Sequence, residues 1–588
     1  MRRIALALCL AASWAMAQAQ TAPRTTIRVG LWTLWHDRDA TITPISGATL
    51  QHCENCTARS LAAITLRVTR DKLSWIDSRG KTLASAELVL AGSYRISAHG
   101  EFLTLAYPLR ITAQSGALVL AVTLPVERYV ELVVAAESGA ADSIESRKAL
   151  AVVARSFALA PAHGHVPFDV CDSTHCQWVH WHTTHEAHAA ALATADESLW
   201  RTGSRAEAYF HQNCGGRTAS AAEVWPKGHS AQGLLESRND PYCQRAGSSE
   251  WSATLSRAEV TRALAAAGLV AHGWKTLTVG QRGESGRATT LLIGDAKIST
   301  EDFRLAVGRA LGWNRIRSNW FEIAPQGDGF LFHGRGSGHG VGLCQAGAAE
   351  MAHEGRGYGE ILAQYFPGAT VAEETTGAAW QRLNGQGFTL ETSSPEDGAF
   401  LPALSSALSE AENRSGLAPR DAIGVKTYRS TPAFRDATLA PGWVAAFTEG
   451  DLIALQPLRI LAARKLLASI TRHEFLHALV EEQATAQTPL WLREGLVEAW
   501  AGDVQSSDPR KEFRAPSFRR FTGERAGSNL TPEAISEKLA HASSEEESEA
   551  AHHAAGWYAQ QLLDRFGRAQ VLEWLRTGIP QSALLTLR

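Results

Sequence analysis

Two histidines and two glutamates near the C-terminus could bind and use a metal ion. The segment TRHEFLHALVEE at 471–482 has His473 and His477 four residues apart, which places both imidazoles on one helix face. Glu474 can face a water on the same ion, and Glu494 supplies a carboxylate from the next helical run. Because two histidines and one carboxylate with an open fourth position is a catalytic zinc pattern, Zn²⁺ fits best. Two alternatives stay open: histidines that only pack within a helix, and a degenerate zinc-binding domain that is not an enzyme.

A second candidate for chemistry is the carboxyl group of Glu137. It follows the apolar run LVVAA, so we expect a partly desolvated group with a raised pKa, which suits a proton donor. Such an acid can protonate a glycosidic oxygen, and one acid/base group suffices where the sugar's own hydroxyl is the nucleophile. If the neighbouring motifs are left aside, the simpler interpretation is that Glu137 is a charged residue on a helix surface.

The cysteines indicate disulfides or metal ligands. Eight occur in the chain, and Cys9 lies within the N-terminal apolar run, which leaves seven downstream. Cys171 and Cys176 are spaced to bind one ion, although a disulfide between them is an open alternative.

The remaining five cysteines allow two disulfides and one free thiol. Cys53 and Cys56 could close a small loop, and we predict that Cys214 pairs with Cys243. Cys344 would then be the unpaired thiol.

Two differently patterned regions must position these groups. Residues 27–125 alternate between apolar and polar side chains, which predicts a mostly β module, and helical spacing with Gly-rich, strand-like segments follows to residue 375. The stretch 376–385 has no clear period and is the predicted linker. Residues 386–588 become mainly helical, so we predict an α+β multidomain protein.

The N-terminus and the charge balance restrict location and partners. Residues 1–19 combine two arginines, a short apolar stretch and small residues in A-x-A spacing, which predicts a signal peptide and less readily a membrane anchor. Loss of Arg2 and Arg3 takes the formal net charge from −3 to −5 without a basic stripe, which argues against nucleic acid. No internal run of about 18 apolar residues is present, so an integral membrane protein is not expected.

The C-terminal motifs resemble a known peptidase group. HEFLH followed by WLREG is similar to the signature of the gluzincin metallopeptidases of the peptidase MA-like type, over about 386–588. The resemblance implies zinc held by His473, His477 and Glu494, with Glu474 as general base and Glu498 supporting a ligand histidine. Where many relatives carry a tyrosine, this chain has a pair of histidines at 552–553.

Four blocks in the longer N-terminal region carry a second resemblance. They read VERYVELVVAAESGAADSIESRKALAVVARSFAL, FDVCDSTHCQ, AEAYFHQNCGGRTASAAEVW and GRGSGHGVGLCQAGAAEMAHEGRGYGEILAQYFPGA. Their order resembles the SpoIID/LytB family of sporulation and cell-wall proteins over roughly 27–375. It implies a peptidoglycan lytic transglycosylase that cuts between N-acetylmuramic acid and N-acetylglucosamine, with Glu137 as the acid. The chain departs from the family pattern at two positions: Leu150 replaces a glutamine, and Phe157 lacks a hydroxyl. These changes would alter contacts with the substrate but not the acid.

The same resemblance suggests further ligands. Some family members hold zinc with a cysteine pair and an upstream histidine, for which His165 is the matching residue beside Cys171 and Cys176. The segment GRGSGHGVG at 334–342 lacks the strand, loop and acid of a dinucleotide site. Its glycines could let backbone approach a sugar chain, with Arg335 and His339, together with His211, as hydrogen-bonding partners, although a purely structural turn is an equal alternative.

The predicted protein is therefore an exported, two-module enzyme of the periplasm or cell envelope. Its partners would be peptidoglycan glycan strands and other wall hydrolases. Two alternatives remain: a protein that is mainly a zinc metallopeptidase, and a non-enzymatic wall-binding scaffold that activates other hydrolases.

Overall fold

A computed structural model describes most of the chain. It covers residues 25–585, apart from 54–55, 77–79, 141, 161–164, 227–234, 248, 270–272, 441–443, 502–530 and 542–544. The predicted signal peptide, 1–19, lies outside the described residues. The chain divides into two compact units, which comprise the described residues of Met1–Tyr129 with Phe157–Trp181, and of Val130–Ser156 with His182–Arg588.

The first unit is built on one large sheet. Its strands are β1 (Thr26–Leu31), β2 (Asp39–Gln51), β3 (Arg59–Ser60), β4 (Ile64–Thr69), β5 (Lys72–Ile76), β6 (Thr82–Ser85), β7 (Glu87–Ala98), β8 (Glu101–Leu105), β9 (Leu109–Gln114), β10 (Ala117–Pro125) and β11 (Val170–Cys171). They follow the order β11-β1-β10-β9-β7-β2-β4-β5-β6, with β3 on β2 and β8 on β7. Neighbours are antiparallel except β1 and β11.

The alternation of the sequence explains this sheet. In β7 the buried side chains all point to one face, because strand side chains alternate with a period of two; they are Leu88, Leu90, Tyr94, Ile96 and Ala98. The β module predicted for 27–125 is therefore present.

The second unit contains the other strands, mostly in small sheets. They are β12 (Glu197–Arg201), β13 (Ser204–Arg205), β14 (Phe210–His211), β15 (Glu250–Ser256), β16 (Leu277–Arg282), β17 (Ala288–Ile293), β18 (Ala296–Ser299), β19 (Phe321–Gln326), β20 (Gly329–Arg335), β21 (Leu343–Cys344), β22 (Thr370–Glu373), β23 (Gln381–Asn384), β24 (Phe388–Thr392), β25 (Ile423–Thr427), β26 (Ala446–Glu449) and β27 (Leu452–Leu455). The sheets are β13-β12-β22, β14-β21, β15-β20-β19, β16-β17-β18 and β23-β24-β25-β27-β26.

Helices supply the remaining regular structure of the described chain. They are α1 (Val126–Glu137), α2 (Ile144–Leu159), α3 (His185–Ala193), α4 (Ala221–Val224), α5 (Pro241–Arg245), α6 (Arg257–Ala266), α7 (Thr300–Leu311), α8 (Gln345–His353), α9 (Tyr358–Tyr365), α10 (Leu401–Ser415), α11 (Thr431–Thr438), α12 (Leu458–Ala463), α13 (Leu467–Glu481), α14 (Leu490–Ala501), α15 (Pro532–His541), α16 (Glu545–Thr577) and α17 (Gln581–Leu584), with a 3₁₀ turn at Pro395–Phe400. In α16 a kink occurs at Gly567, where φ is +76°. None of the described helices is long and apolar enough to cross a membrane.

The C-terminal part of the second unit combines a five-stranded sheet with helices. A single apolar core joins β24, β25 and β27 to helices α10, α13, α14 and α16. Its side chains include Leu390, Val425, Leu408, Leu476, Leu479, Leu492, Leu496 and Leu562. The observed architecture is thus mixed α/β with more than one compact unit, as predicted.

The predicted linker does not lie between the two units. Within 376–385, strand β23 occupies Gln381–Asn384 and pairs antiparallel with β24. The second unit continues across this stretch. The assignment of 27–375 and 386–588 to separate modules stays a prediction.

A buried ion pair joins the two sides of that stretch within the second unit. Lys426 of β25 and Glu197 of β12 contact each other with both side chains inaccessible to solvent. The Lys426 ammonium also donates to the Ala193 carbonyl at 3.0 Å, and the Tyr358 hydroxyl donates to Glu197 Oε2 at 3.0 Å. Because each charge has lost its water, each depends on these partners for solvation.

Candidate functional site

Glu137 is the last residue of α1, where its helix gives way to a tight loop. Its side chain is half-buried, and the apolar residues that precede it are packed inside the unit. The Gln345 side-chain amide donates to the Glu137 carbonyl oxygen at 2.9 Å. On the other side, the Arg147 guanidinium donates to the carbonyls of Gly139 and Asp142. The backbone at Glu137 and in the loop after it is therefore anchored by side chains from other elements.

The element that anchors Glu137 begins directly after the glycine-rich segment. Gln345 opens α8 and follows β21, which pairs in parallel with β14, so that His211 lies opposite Cys344. Gly342 has a φ of +75°, and a Cβ there would lie 2.2 Å from the Tyr209 carbonyl oxygen. These glycines are needed because the chain's own backbone passes this close.

His211 and His339 come together beside two aromatic rings. Their ring centroids are 5.6 Å apart, and His339 also lies 5.0 Å from Trp225 and 6.2 Å from Tyr209. His211 is 4% exposed and shares a 3.1 Å hydrogen bond between its Nδ1 and the Val341 carbonyl oxygen, which accepts. Burial lowers the pKa of His211 well below its ordinary value and that of His339 to about 4, so both rings are neutral near pH 7.

Arg335 is the exposed member of the predicted sugar-contacting set. Its guanidinium carbon lies 3.5 Å from the centroid of the Trp320 ring, a cation–π arrangement. The sequence prediction missed Tyr209, Trp225 and Trp320. Tyr209 and Trp225 could have been found because they lie within one of the family-like blocks, whereas Trp320 lies outside all four.

The first unit holds the predicted cysteine pair in a four-residue cluster. Cys171 and Cys176 are both free, and the donor atoms of His165, Cys171, His175 and Cys176 all lie within 4.8 Å of one another. The two sulfurs are 3.1 Å apart, and His165 Nε2 is 3.1 Å from Cys176 Sγ. Two thiols and two imidazoles form a zinc-type donor set.

His175 is the member of this cluster that the sequence prediction left out. It stands inside the motif CDSTHC, between the two cysteines, and its Nδ1 lies 3.8 Å from Cys171 Sγ and 3.7 Å from Cys176 Sγ. A hydrogen bond with Cys176 lowers the pKa of Cys171 to about 3, which favours the thiolate that metals require.

The other cysteines confirm one pairing and correct another. Cys53 and Cys56 form a disulfide, as predicted. The predicted Cys214–Cys243 disulfide is wrong, because both thiols are free. Cys344 is unpaired, as predicted, and lies beside them. Sequence spacing could not show this, because the three thiols reach one place only through the packing of β21 and α5 with the loop after β14.

The histidines of α13 face one point, as their spacing predicts. His473 Nε2 and His477 Nε2 are 3.1 Å apart, and His477 Nε2 is 3.8 Å from Glu494 Oε2 on α14. Two nitrogens bound to one tetrahedral zinc at about 2.0–2.1 Å would be about 3.3 Å apart. The two imidazole nitrogens therefore have the spacing for one zinc ion, and the Glu494 carboxylate beside His477 is the third candidate donor.

Glu474 and His552 complete the surroundings of that site. The Thr448 hydroxyl of β26 donates to Glu474 Oε2 at 2.6 Å, and burial raises the pKa of Glu474. His552 donates from Nδ1 to the Ser548 carbonyl at 2.8 Å and turns its Nε2 to within 3.4 Å of Glu494 Oε2. His552 thus occupies the neighbourhood in which the resemblance led us to expect a tyrosine.

Comparisons with known proteins match the N-terminal part of the chain. Residues 114–200 match the family model described as Stage II sporulation protein, and residues 226–342 match a domain of unknown function, DUF8618. An uncharacterised protein of Brachyspira hyodysenteriae is 30% identical over 259 residues, which is 42% of this chain and 67% of the relative.

Two relatives from Bacillus subtilis carry descriptive names. Stage II sporulation protein D is 29% identical over 272 residues, covering 42% of this chain and 75% of the relative. A protein named amidase enhancer is 30% identical over 74 residues, covering 13% of this chain and 10% of the relative.

Proposed function

Because the chain belongs, in its N-terminal part, to the Stage II sporulation protein family, we propose that it is a cell-envelope enzyme that cleaves peptidoglycan glycan strands. The bond we assign to it joins N-acetylmuramic acid to N-acetylglucosamine, and the reaction is of the lytic transglycosylase type. One observation carries the proposal: Glu137 is a half-buried acid at a helix end, held by a hydrogen bond from Gln345 to its backbone.

The proposed chemistry uses this one carboxyl group twice. Glu137 donates its proton to the glycosidic oxygen as the bond from that oxygen to muramic C1 breaks. Its carboxylate then takes the proton of the muramic C6 hydroxyl as that oxygen bonds to C1. The product ends in an anhydro ring and no water is consumed, so a second carboxylate is not needed.

Polar and aromatic groups of the glycine-rich segment and of the β14 region are the candidates for holding the sugar. Neutral His339 and the rings of Tyr209 and Trp225 offer hydrogen bonding beside apolar faces, and Arg335 offers a cation at an exposed position. His211 is buried, so we assign it to positioning His339 rather than to direct contact. His211 pairs with Cys344 in the β14–β21 ladder, and the next residue, Gln345, donates to the Glu137 carbonyl oxygen.

A second candidate function is favoured by the geometry at His473. The two imidazole nitrogens 3.1 Å apart and the nearby Glu494 carboxylate would hold zinc, which when bound polarises a carbonyl and makes its bound water more acidic. Glu474 would accept the proton of that water, and Thr448 orients its carboxylate. We assign the cluster of His165, Cys171, His175 and Cys176 to structural zinc, since four protein donors leave no open position.

A third possibility is a scaffold that stimulates partner enzymes. The similarity to a protein named amidase enhancer supports a link with other wall hydrolases. Such a protein would bind sacculi and raise the rate of an added amidase without releasing fragments of its own.

Mass spectrometry of purified sacculi digested by the full-length protein separates these proposals. We expect anhydro-muropeptides from the wild type and a loss of at least about 100-fold in Glu137→Gln, the size of a lost general acid. Glu101→Gln, an exposed site in β8, is the matched control and should act like the wild type.

Each alternative has its own signature in the same experiment. Peptide scission that disappears in Glu474→Gln but persists in Glu137→Gln would assign the second activity. Undiminished anhydro ends from Glu137→Gln would refute the glycan-cleaving assignment. If the wild type released neither product and accelerated an added amidase, the scaffold would be the function.

A further inference from the structure

Three thiols and one carboxylate meet inside the second unit, next to the β14–β21 strand pair. Cys214, Asp240, Cys243 and Cys344 each offer one ligand atom, and these four atoms all lie within 4.8 Å of one another. All four residues are buried, with exposures of 0%, 1%, 1% and 0% in that order. Around a tetrahedral zinc with Zn–S bonds of about 2.3 Å, sulfurs lie about 3.8 Å apart, so the cluster has the right size for one ion.

The four residues come from three separate pieces of the chain. Cys214 follows β14, Cys344 ends β21, and Cys243 lies in α5, whose N-terminal cap is Asp240. A ligand shared by all of them would therefore join elements that are about 30 to 130 residues apart in the sequence.

The carboxylate is oriented as metal-ligating carboxylates usually are. The Cys243 backbone N–H donates to Asp240 Oδ1 at 2.9 Å, and the Tyr365 hydroxyl donates to Asp240 Oδ2 at 2.9 Å. Gly347 leaves room for this contact, since a Cβ there would lie 2.1 Å from the tyrosine oxygen. Outer hydrogen bonds of this kind fix a ligand's direction.

Two backbone N–H groups donate to the sulfurs of the cluster. The Cys214 N–H donates to Cys344 Sγ at 3.2 Å, and the Gly216 N–H donates to Cys214 Sγ at 3.3 Å. Cys344 is also the N-terminal cap of α8, where the helix dipole stabilises negative charge.

A buried cation stands beside the same cluster. Arg287 is 1% exposed, and its guanidinium donates to the carbonyls of Cys214 at 2.7 Å and Arg217 at 2.8 Å. Its Nε is buried with no hydrogen-bond partner among the described residues. Three thiolates, a carboxylate and one divalent ion would leave a charge of −2, so a buried guanidinium here offsets part of it.

We propose that Cys214, Asp240, Cys243 and Cys344 bind one zinc ion through three thiolates and a carboxylate oxygen. Each thiol releases its proton as it binds the ion. The site has no open ligand position, so its role is structural. It would fix the start of α8, and therefore Gln345, whose side chain holds the backbone of Glu137.

Cobalt(II) substitution of the full chain tests this proposal directly. The double variant Cys171→Ser, Cys176→Ser removes the other described pair of free thiols and serves as the background. We expect thiolate-to-cobalt charge-transfer bands and intense tetrahedral visible bands in this background, and their loss after Cys243→Ser. The zinc content measured by inductively coupled plasma mass spectrometry should fall by about one ion per chain.

A second measurement does not depend on the folding of Cys243→Ser. Alkylation in denaturant without reduction, followed by peptide mass spectrometry, should find all three cysteines as thiols in the background protein. In the native protein they should resist alkylation until a chelator is added. A disulfide between any two of them, or three free thiols without cobalt bands, would overturn the proposal.

Discussion

At the scale of single residues, the second unit contains ionisable side chains whose pKa values are shifted by a neighbouring charged group. His188 is the clearest case, because its Nε2 lies 2.9 Å from Glu449 Oε2 and its Nδ1 lies 3.4 Å from Glu131 Oε2. Hydrogen bonds to Glu131 and Glu449 raise the pKa of His188 to about 10. Glu131 lies one and a half turns before Glu137 in α1, so this contact reaches the helix that carries the candidate acid.

The first prediction concerns the pH dependence of that contact. The folded-state pKa of His188 is raised above the ordinary value of about 6.5, so its stabilising effect is complete below about pH 6.5 and is lost as pH rises towards 10. Because the ring is about a third exposed, the effect is at most about 1 kcal/mol. The difference in thermal midpoint between wild type and His188→Gln should shrink as pH increases from 6.5 to 10.

The exposed histidine at 182 supplies the control for this experiment. His182→Gln should leave the midpoint close to that of the wild type at every pH. A His188→Gln difference that stays constant from pH 6.5 to 10 would contradict the assigned ion pairs.

At the scale of elements, sequence patterns predicted those features of the fold that depend on the spacing of residues within one strand or helix. The alternation of 27–125 predicted the large sheet, and the four-residue spacing of His473 and His477 predicted one helix face, since both patterns repeat within a single element. His175 could also have been found, as it lies inside the CDSTHC motif. The Cys214, Cys243 and Cys344 cluster could not, because no local pattern records which strand and helix ends meet.

The glycine before β21 carries an element-scale prediction. Gly342→Ala would add a Cβ 2.2 Å from a backbone oxygen at a φ of +75°, so strand β21 must move. We expect a cost above about 3 kcal/mol, as for other severe strain, and loss of glycan cleavage. Gly355→Ala is the control, since its φ is +82° but nothing lies within 4 Å of the new Cβ. It should cost only about 1–2 kcal/mol.

Thermal unfolding followed by circular dichroism ranks these two variants. Equal unfolding midpoints for Gly342→Ala and Gly355→Ala would show that the close approach of Gly342 to the Tyr209 carbonyl does not affect stability.

At the scale of the whole molecule, a buried charge pair joins distant parts of the second unit, and no sequence pattern predicted it. Lys426 and Glu197 are about 230 residues apart, and their side chains are inaccessible to solvent. An apolar cluster of Ala195, Tyr428, Phe434, Ala437 and Ala454 lies around the same contact between β25 and the chain before β12. The candidate glycan-cleaving and metal-binding residues of this unit are therefore parts of one packed body.

Breaking the buried pair gives the third prediction of this section. Lys426→Met leaves Glu197 buried without its counter-charge and should destabilise the second unit by about 3–5 kcal/mol. The double variant Lys426→Met, Glu197→Gln removes both charges and should recover much of that loss. Calorimetry that found the double variant less stable than Lys426→Met would contradict this account of the pair.

The position of Glu197 also decides whether isolated fragments of this protein can be used to assign its activities. A chain cut near residue 380 would keep Glu197 without Lys426 in one fragment and Lys426 without Glu197 in the other, and each fragment would lose part of the packing that surrounds the pair. If either fragment were inactive, the cause would be its disrupted core, and the result would not show that the fragment lacks a catalytic site. Point substitutions in an intact polypeptide are the dependable way to assign the two chemistries.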